Sequence, residues 1–355
     1  MKIYRQTLPV PAEQIAGIRY ILGESADRAC FFDIETTGLS PRISSVYLIG
    51  AAFLRGDSLE GIQWFADDYS SEKSLLIAFA EALANCSVVI HYNGTTFDIP
   101  YLEKKYVEHG LPSPFLSLES LDLYRRVNRQ KQRFPTKNRK LVTMEKLLGF
   151  DRGQDYSGQE CTMLYTDFMQ HKFAHRDDEA DRLRTCLLSH NAADLQGTAL
   201  GTELLLYTDP EPCSPSLTLD DQSAIFTAKL PDSLTYPFPL TCETSFAGLD
   251  FQDNKFTVTA PLIRDTLYHF FPDYKNYYYL PDEDMAIHKS VGTYVDAAHR
   301  KQATASTCYV KKEGTFLALK TAPENAVIFH KKNAPKGACY IEAHSASAEM
   351  ISFLL

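Results

Sequence analysis

The segment 29–35 constrains the fold most strongly, because it is apolar up to two carboxylates at its end. It predicts a buried strand that runs into a Thr-Thr-Gly turn at 36–38. Side chains two residues apart on a strand point to the same face, so Asp33 and Glu35 project together. Paired carboxylates repel each other unless a cation lies between them, and their oxygens suit Mg²⁺ or Mn²⁺. A solvated Asp-x-Glu pair is the alternative interpretation of this motif alone.

A second acidic motif follows an apolar strand predicted at 87–91. This strand ends in Asn93-Gly94, and Asp98 lies near the predicted start of a helix. Aspartate also caps helix N-termini, which is the alternative interpretation of Asp98.

A third motif places His190 and Asp194 on one face of a predicted helix that continues to about residue 207. Gly197 and Gly201 extend the same stripe. Glycine costs a helix about 1 kcal/mol relative to alanine. The pair therefore predicts that this face lies close against another element, most simply the sheet. A helical histidine is often structural, but a face shared with a carboxylate and two glycines favours a site.

Taken in order, Asp-x-Glu, Asn-x-x-x-Phe-Asp and His-x-x-x-Asp resemble the DEDD superfamily of 3′–5′ exonucleases, which has a ribonuclease H-like fold. The segment 33–39, with His190-Asn191 before Asp194, is most similar to the YprB-like branch of ribonuclease H-like proteins. The resemblance covers roughly residues 28–206. One feature departs from it: the His type of this superfamily usually has five positions from His to Asp, whereas this chain has four, as in the Tyr type.

This resemblance implies a phosphodiesterase site in which Asp33, Glu35, Asp98 and Asp194 are catalytic and bind two divalent metal ions, Mg²⁺ or Mn²⁺. Two such ions about 3.5–4 Å apart can clamp the attacking and leaving oxygens of an in-line displacement. His190 would orient or deprotonate the attacking water as a fifth catalytic residue. In the sequence, no cluster of thiols or imidazoles suggests zinc.

By the same resemblance, the backbone around Thr36, Thr37 and Gly38 contacts a terminal nucleotide, and Asn93 lines the same cleft. The expected partner is therefore a nucleic acid, DNA or RNA, bound at a single-stranded 3′ end.

The charge distribution agrees with a local rather than a global nucleic-acid surface. The net charge of −9 argues against binding of polyanions by the whole surface. The segment 125–140, however, has eight basic residues and no acidic one, and lies between two of the acidic motifs. We predict that it borders the cleft and contacts phosphates, with affinity falling as salt rises; a solvated loop is the alternative. The residues assigned to this contact are Arg125, Arg126, Arg129, Lys131 and Arg133.

Proline-rich sequence at 208–215 predicts a boundary between a ribonuclease H-like domain, 1–208, and a smaller domain of unknown role, 209–355. In the first, we predict a mixed α/β sheet flanked by helices. Its strands fall near 29–35, 46–54, 60–66 and 87–91, and its helices near 12–22, 70–85, 97–109 and 141–149. The second is predicted to be a β-rich α+β domain, with strands near 224–230, 251–260 and 308–319 and a helix at 284–302.

No run of about 18 apolar residues predicts a transmembrane helix, and the N-terminus lacks the apolar core of a signal peptide. The eight cysteines are scattered and are expected to be reduced thiols. These features predict a cytoplasmic protein without a membrane partner.

Three functions follow from the motifs. The leading one is a metal-dependent 3′–5′ exonuclease. The second is a structure-specific endonuclease, since one fold hosts both chemistries. The third is a non-catalytic module that binds nucleic acid or protein, which the retention of all four carboxylates disfavours.

Overall fold

A computed structural model of the chain describes residues 1–153, 156–210, 213–334 and 338–355. The chain forms two compact units, Met1–Asp209 and Pro210–Leu355. Residues 211–212, within the predicted proline-rich boundary, lie outside the described residues.

The N-terminal unit has eight helices and six strands among its described residues. The helices are α1 (Ala12–Leu22), α2 (Glu72–Leu83), α3 (Asp98–Glu108), α4 (Leu123–Arg129), α5 (Leu141–Leu147), α6 (Gly158–Phe173), α7 (Asp177–Gly201) and α8 (Leu205–Thr208). The strands are β1 (Lys2–Leu8), β2 (Ala29–Thr36), β3 (Val46–Arg55), β4 (Ser58–Phe65), β5 (Val88–His91) and β6 (Glu119–Asp122). None of the described helices in either unit is both long enough and apolar enough to cross a bilayer.

These six strands form one sheet in the order β1-β4-β3-β2-β5-β6. The pairs from β1 to β2 are antiparallel, while β5 and β6 run parallel to β2. The predicted mixed sheet flanked by helices is therefore confirmed. Because β5 is parallel to β2, the carboxyl ends of the two strands lie at the same edge, and both lead into acidic motifs.

Side chains of β2 alternate between two apolar cores. Cys30, Phe32 and Ile34 enter the core that includes α2, α3 and α6. Ala29 and Phe31 enter the core that includes α1 and the second half of α7. Asp33 and Glu35 continue the second series, so strand alternation directs both carboxylates towards the side covered by α7.

The glycine stripe of α7 lies close against other elements, as predicted, but these are two helices and not the sheet. A Cβ atom at Gly197 would overlap the carboxylate of Glu145 in α5, and one at Gly201 would lie 3.3 Å from Leu123 in α4. The sheet side of α7 instead carries Asn191, whose amide would overlap a Cβ atom placed on Gly50 of β3. The rotation of about 100° per residue separates these two faces of the helix.

The C-terminal unit is β-rich, as predicted. Its strands are β7 (Cys213–Leu219), β8 (Ser223–Lys229), β9 (Leu240–Glu243), β10 (Gly248–Gln252), β11 (Lys255–Phe270), β12 (Tyr277–Leu280), β13 (Met285–His288), β14 (Lys301–Gln302), β15 (Tyr309–Leu319) and β16 (Cys339–Glu342). One sheet has the order β16-β15-β11-β10-β9, with β8 and β7 added beside β11, and a second has the order β13-β12-β14.

The helix predicted at 284–302 was wrong. Its first part is β13, which pairs with β12, and only the short α9 (Lys289–Gly292) is helical before a 3₁₀ turn at Ala297–His299. The expected apolar face is not buried, since Tyr294 is 90% exposed. A turn with positive φ at Asp284 directs the chain back beside β12, so strand pairing overrides the helical spacing.

Candidate active site

The end of β2 brings Asp33 and Glu35 to the α7 side of the sheet. A bulge between Glu35 and Thr36 shifts the register against β3 at this point. Glu35 is buried, and the Tyr47 hydroxyl donates to its Oε2 over 3.4 Å. Bulges commonly mark places where a strand stops pairing and redirects side chains.

Helix α7 supplies two further functional groups, His190 and Asp194. Asp33, Glu35 and Asp194 each offer a carboxylate oxygen, and the three atoms lie within 4.8 Å of one another. His190 Nε2 lies 3.4 Å from Glu35 Oε1 and 3.2 Å from Asp194 Oδ2. The two residues that lie four apart on α7 therefore meet the two residues that lie two apart on β2 at one centre.

A hydrogen-bonded turn after β5 leads to Asp98, the first residue of α3. The buried His91 accepts from the backbone N–H of Gly94 through Nδ1 at 2.9 Å. Asp122 accepts from the backbone N–H groups of Asn93 at 3.0 Å and Thr95 at 3.3 Å. Burial lowers the pKa of His91 to about 4, so its ring is neutral and can accept this bond.

Asp98 interacts with Asp33 and Glu35 through its charge, but it is not one of the three carboxylates whose oxygens lie within 4.8 Å of one another. Burial raises the pKa of Asp98 to about 7, while hydrogen bonds from its own backbone N–H and that of Ile34 act in the opposite direction. Burial, followed by the charges of Asp194 and Asp98, raises the pKa values of Asp33 and Glu35 well above their ordinary range. A divalent cation would offset this repulsion, and an all-oxygen donor set fits Mg²⁺ or Mn²⁺.

Asn191 holds Asp33 in place and was not assigned a role from the sequence. Its Nδ2 donates to Asp33 Oδ2 at 2.9 Å, and its Oδ1 accepts from Gln63 Nε2 at 2.8 Å. The same Gln63 amide donates to the Leu188 carbonyl oxygen at 2.8 Å. Gly50 leaves room for the Asn191 amide, so β2, β3, β4 and α7 are tied together at the site. The only signal for Asn191 in the sequence was its position next to His190.

Arg152 is a further residue that the motifs did not indicate. Its Nη1 donates to Asp194 Oδ1 at 2.7 Å, and its Nε donates to Glu145 Oε2 at 2.8 Å. Its Nη2 also contacts Glu145 Oε1, which makes the Glu145 contact bidentate. The Arg152 side chain is 3% exposed and that of Glu145 1%. The buried Arg152–Glu145 pair therefore holds the Oδ1 atom of Asp194 in place.

Cys161 of α6 also lies at the site. Its Sγ, a carboxylate oxygen of Glu35 and a ring nitrogen of His190 lie within 4.8 Å of one another. The Tyr156 ring stands edge-on to His190, with centroids 6.3 Å apart. The sequence shows no cluster of thiols or imidazoles, because Cys161 and His190 are 29 positions apart and only the packing of α6 and α7 brings them together.

The turn after β2 is internally bonded. Thr36 Oγ1 donates to the Gly38 carbonyl oxygen at 2.9 Å, and the Thr36 carbonyl oxygen accepts from Thr162 Oγ1 at 3.1 Å. Thr37 Oγ1 accepts from the Ser45 backbone N–H at 2.9 Å. Across the sheet edge, Asn93 is exposed with a φ of 69°, and its Oδ1 accepts from Thr96 Oγ1 at 3.0 Å.

The basic segment 125–140 includes most of α4 and continues through a 3₁₀ turn at Lys131–Arg133. It lies beside β5, because the Tyr92 hydroxyl donates to the Arg139 carbonyl oxygen. Arg125, Arg129 and Lys131 are exposed, whereas Arg126 lies 3.3 Å from Asp209. Arg133 is 1% exposed and donates to the carbonyl oxygen of Tyr207. The structure therefore places Arg133 in the interior, where it stabilises the end of α8.

Comparison with known proteins agrees with this architecture. Residues 30–204 match the family model RNase_H_2, described as the RNase_H superfamily. The N-terminal unit therefore has a ribonuclease H-like fold. DNA polymerase 1 of Aeropyrum pernix is 28% identical over 124 residues, which are 35% of this chain and 12% of that polymerase.

Two solved structures show remote similarity. The family B DNA polymerase from the hyperthermophilic archaeon Pyrobaculum calidifontis aligns with 91% of this chain at 14% identity and a TM-score of 0.39. A nuclease in its apo form aligns with 58% of this chain at 16% identity and a TM-score of 0.25. The chain covers 40% of the length of the polymerase and 93% of that nuclease.

Proposed function

We propose that this chain is a metal-dependent 3′–5′ exonuclease that hydrolyses phosphodiester bonds of DNA or RNA. The observation that carries the proposal is the group of Asp33, Glu35 and Asp194 oxygens within 4.8 Å, with His190 beside it, at one edge of a ribonuclease H-like sheet.

Asp33, Glu35, Asp98 and Asp194 would hold the metal ions. Burial, reinforced by the charges of neighbouring carboxylates, raises the pKa values of Asp33, Glu35 and Asp98, and this supports the assignment because bound cations favour the ionised carboxylates. When bound, two divalent ions would neutralise charge at phosphorus and support the attacking and leaving oxygens.

His190 would orient the attacking water or accept its proton. Its Nε2 contacts both Glu35 and Asp194, so the ring is held at the centre by residues of two elements. A positioned imidazole can transfer a proton near neutral pH. The Tyr156 ring beside it restricts the ring from another side.

The substrate would follow the sheet edge between the two motif-bearing strands. The turn Thr36–Gly38 and the exposed Asn93 lie at the carboxyl ends of β2 and β5, where a terminal nucleotide would meet the carboxylates. Exposed Arg125, Arg129 and Lys131 would contact phosphates farther along the strand. Arg126 would contribute after leaving Asp209, and the buried Arg133 is not included.

The test is cleavage of 5′-labelled single-stranded DNA and RNA, resolved on gels over time, with Mg²⁺, Mn²⁺ or EDTA. We expect a metal-dependent ladder that shortens from the 3′ end. Asp33→Ala and Asp194→Ala should reduce cleavage to the level in EDTA. Asp57→Ala, an exposed aspartate in the β3–β4 turn, is the matched control and should retain full activity.

Other outcomes separate the alternatives. Cleavage of circular single strands would support the endonuclease instead. Binding without cleavage of any substrate would support the non-catalytic module. Equal cleavage by the wild type and Asp33→Ala in a clean preparation would reject the proposed metal site.

A further inference from the structure

A second donor set overlaps the carboxylate centre and has a different chemistry. Glu35, Cys161 and His190 come from β2, α6 and α7, and each places one ligand atom within 4.8 Å of the other two. Cys161 is fully buried, and the adjacent Thr162 bonds to the end of β2 through the Thr36 carbonyl oxygen at 3.1 Å. The thiol is therefore held at the site by the packing of α6 on β2.

Thiolate, imidazole and carboxylate together are donors typical of Zn²⁺, which prefers four-coordinate sites with sulfur and nitrogen ligands. Mg²⁺ and Mn²⁺ prefer oxygen ligands, as offered by Asp33, Glu35 and Asp194. Glu35 belongs to both donor sets, so an ion that prefers oxygen ligands and an ion that prefers sulfur and nitrogen ligands would compete for it. Since zinc also binds nitrogen and sulfur ligands more tightly than manganese, the thiol favours zinc at this position.

We propose that Glu35, Cys161 and His190 form a zinc-binding site that competes with the carboxylate centre. On binding, the Cys161 thiol releases its proton to solvent and forms a sulfur–zinc bond, while His190 binds through a ring nitrogen. Three protein ligands leave a fourth position open to water. Because zinc would occupy Glu35 and His190, its binding should inhibit the nuclease; this consequence, unlike the site itself, rests on the proposed function.

Cobalt(II) is the probe for the site, because a cobalt–thiolate bond has a near-ultraviolet charge-transfer absorption that oxygen ligands do not produce. We expect this band in the full-length metal-stripped protein, and we expect zinc to abolish it by displacement. Cys161→Ser should remove the band and weaken zinc binding by at least about tenfold, since losing even an outer-shell partner costs about 10- to 100-fold. Cys213→Ser, an exposed cysteine of the C-terminal unit, is the control and should retain the band.

A wild-type band that persists in Cys161→Ser, or a wild-type protein without the band, would overturn the site. Circular dichroism and thermal unfolding verify that the Cys161→Ser variant is folded. If it is not, zinc X-ray absorption on Cys213→Ser decides without a change at Cys161. One sulfur ligand at about 2.3 Å supports the site, and oxygen and nitrogen ligands alone reject it.

Inhibition is measured separately. Micromolar zinc should inhibit the Mn²⁺-supported cleavage by the wild type, whereas Cys161→Ser should be resistant, with the inhibition of each protein measured relative to its own activity without zinc. Equal inhibition of both proteins would reject competition through Cys161. If no protein cleaves nucleic acid, the proposed function fails, while the cobalt spectra still decide the zinc site.

Discussion

Asp33 and Asp194 contribute the same functional group to the centre but have different partners. Asp33 accepts from the neutral amide of Asn191, whereas Asp194 contacts the cationic Arg152. Arg152 is shared with Glu145, so the charge of one guanidinium compensates two carboxylates, the buried Glu145 and the partly exposed Asp194. Asp33 has no comparable cation among its described hydrogen bonds, and its pKa is raised by burial and by the neighbouring carboxylates. Of these two aspartates, Asp33 is therefore expected to depend more on a bound cation.

Arg152→Gln should lower the free energy of unfolding by roughly 3–5 kcal/mol, because it leaves Glu145 buried without its partner charge. The double variant Arg152→Gln, Glu145→Gln should recover a large part of this loss. Urea unfolding in EDTA measures both effects. Strictly additive losses in the double variant would contradict the coupling.

Glu203 lies in the 3₁₀ turn Thr202–Leu204 that follows α7. Its burial leads us to predict that stability depends on pH through a group other than the proposed metal ligands. It is buried, its Oε2 has no hydrogen-bond partner among the described residues, and burial raises its pKa to about 7. An unfolded glutamate has a pKa of about 4.3. As pH rises, the folded state therefore keeps the Glu203 proton to a higher pH than the unfolded state does. The free energy of unfolding consequently falls as pH rises from about 4 to about 7.

Glu203→Gln should remove this contribution and make the protein more stable than the wild type at pH 8, by on the order of 1–3 kcal/mol. The two proteins should differ much less at pH 5. The difference in unfolding free energy between wild type and variant at the two pH values isolates Glu203 from other titrating carboxylates. A difference that does not change with pH would contradict the prediction.

At the scale of elements, α7 organises the site through two faces. Its sheet face presents Asn191 to β2 and β3, and its α5 face presents Asp194 and Gly197 to the Arg152–Glu145 pair. Each face needs a glycine for close approach: Gly50 of β3 on one side and Gly197 of α7 itself on the other. The helix is therefore fixed in rotation as well as in position.

Gly197→Ala tests this close contact. In an ordinary helix interior, the change would stabilise the protein by about 1 kcal/mol. Here the added methyl group would overlap the Glu145 carboxylate, so we expect a loss of about 1–3 kcal/mol. Gly158→Ala at the start of α6 is the control, since nothing lies within 4 Å of its added Cβ atom. Thermal and urea unfolding of both variants measure the contrast; a stabilised Gly197→Ala would refute it.

At the scale of the whole molecule, the distribution of charge matters more than its sum. The chain has a net charge of −9, while the exposed basic side chains of Arg125, Arg129 and Lys131 lie on the segment that packs beside β5. A polyanion should therefore be repelled by most of the surface and attracted near this segment.

Replacing Arg125, Arg129 and Lys131 together with glutamine should weaken single-stranded DNA binding and make it less sensitive to salt. Each lost phosphate contact should reduce the slope of log affinity against log salt by about 0.7. Fluorescence anisotropy in EDTA over a salt series measures this slope. The control exchanges three other exposed basic residues, Lys104, Arg176 and Arg182, and should leave it unchanged.

Local patterns predicted most elements of the N-terminal unit. Strands β2 to β5 and helices α1, α2, α3 and α5 lie within a few residues of their predicted bounds, whereas α7 ends at Gly201 and the rest of the helix predicted to about residue 207 is a 3₁₀ turn followed by α8. Strand β1 was not predicted, because it is mostly exposed and is held in an extended conformation by pairing with β4. The helix predicted at 284–302 was wrong for a related reason, since pairing with β12 decided the structure of its first residues.

The sequence by itself determined which carboxylates can lie together. Alternation on a strand puts Asp33 beside Glu35, and helical spacing puts His190 beside Asp194; both relations hold over a few residues and need no knowledge of the fold. Only the tertiary structure decided what surrounds them. Arg152, Glu145 and Cys161 reach the centre because α5, α6 and the segment before α6 pack against β2 and α7. Such contacts join residues far apart in the chain, so they could not be predicted from the spacing of residues in the sequence.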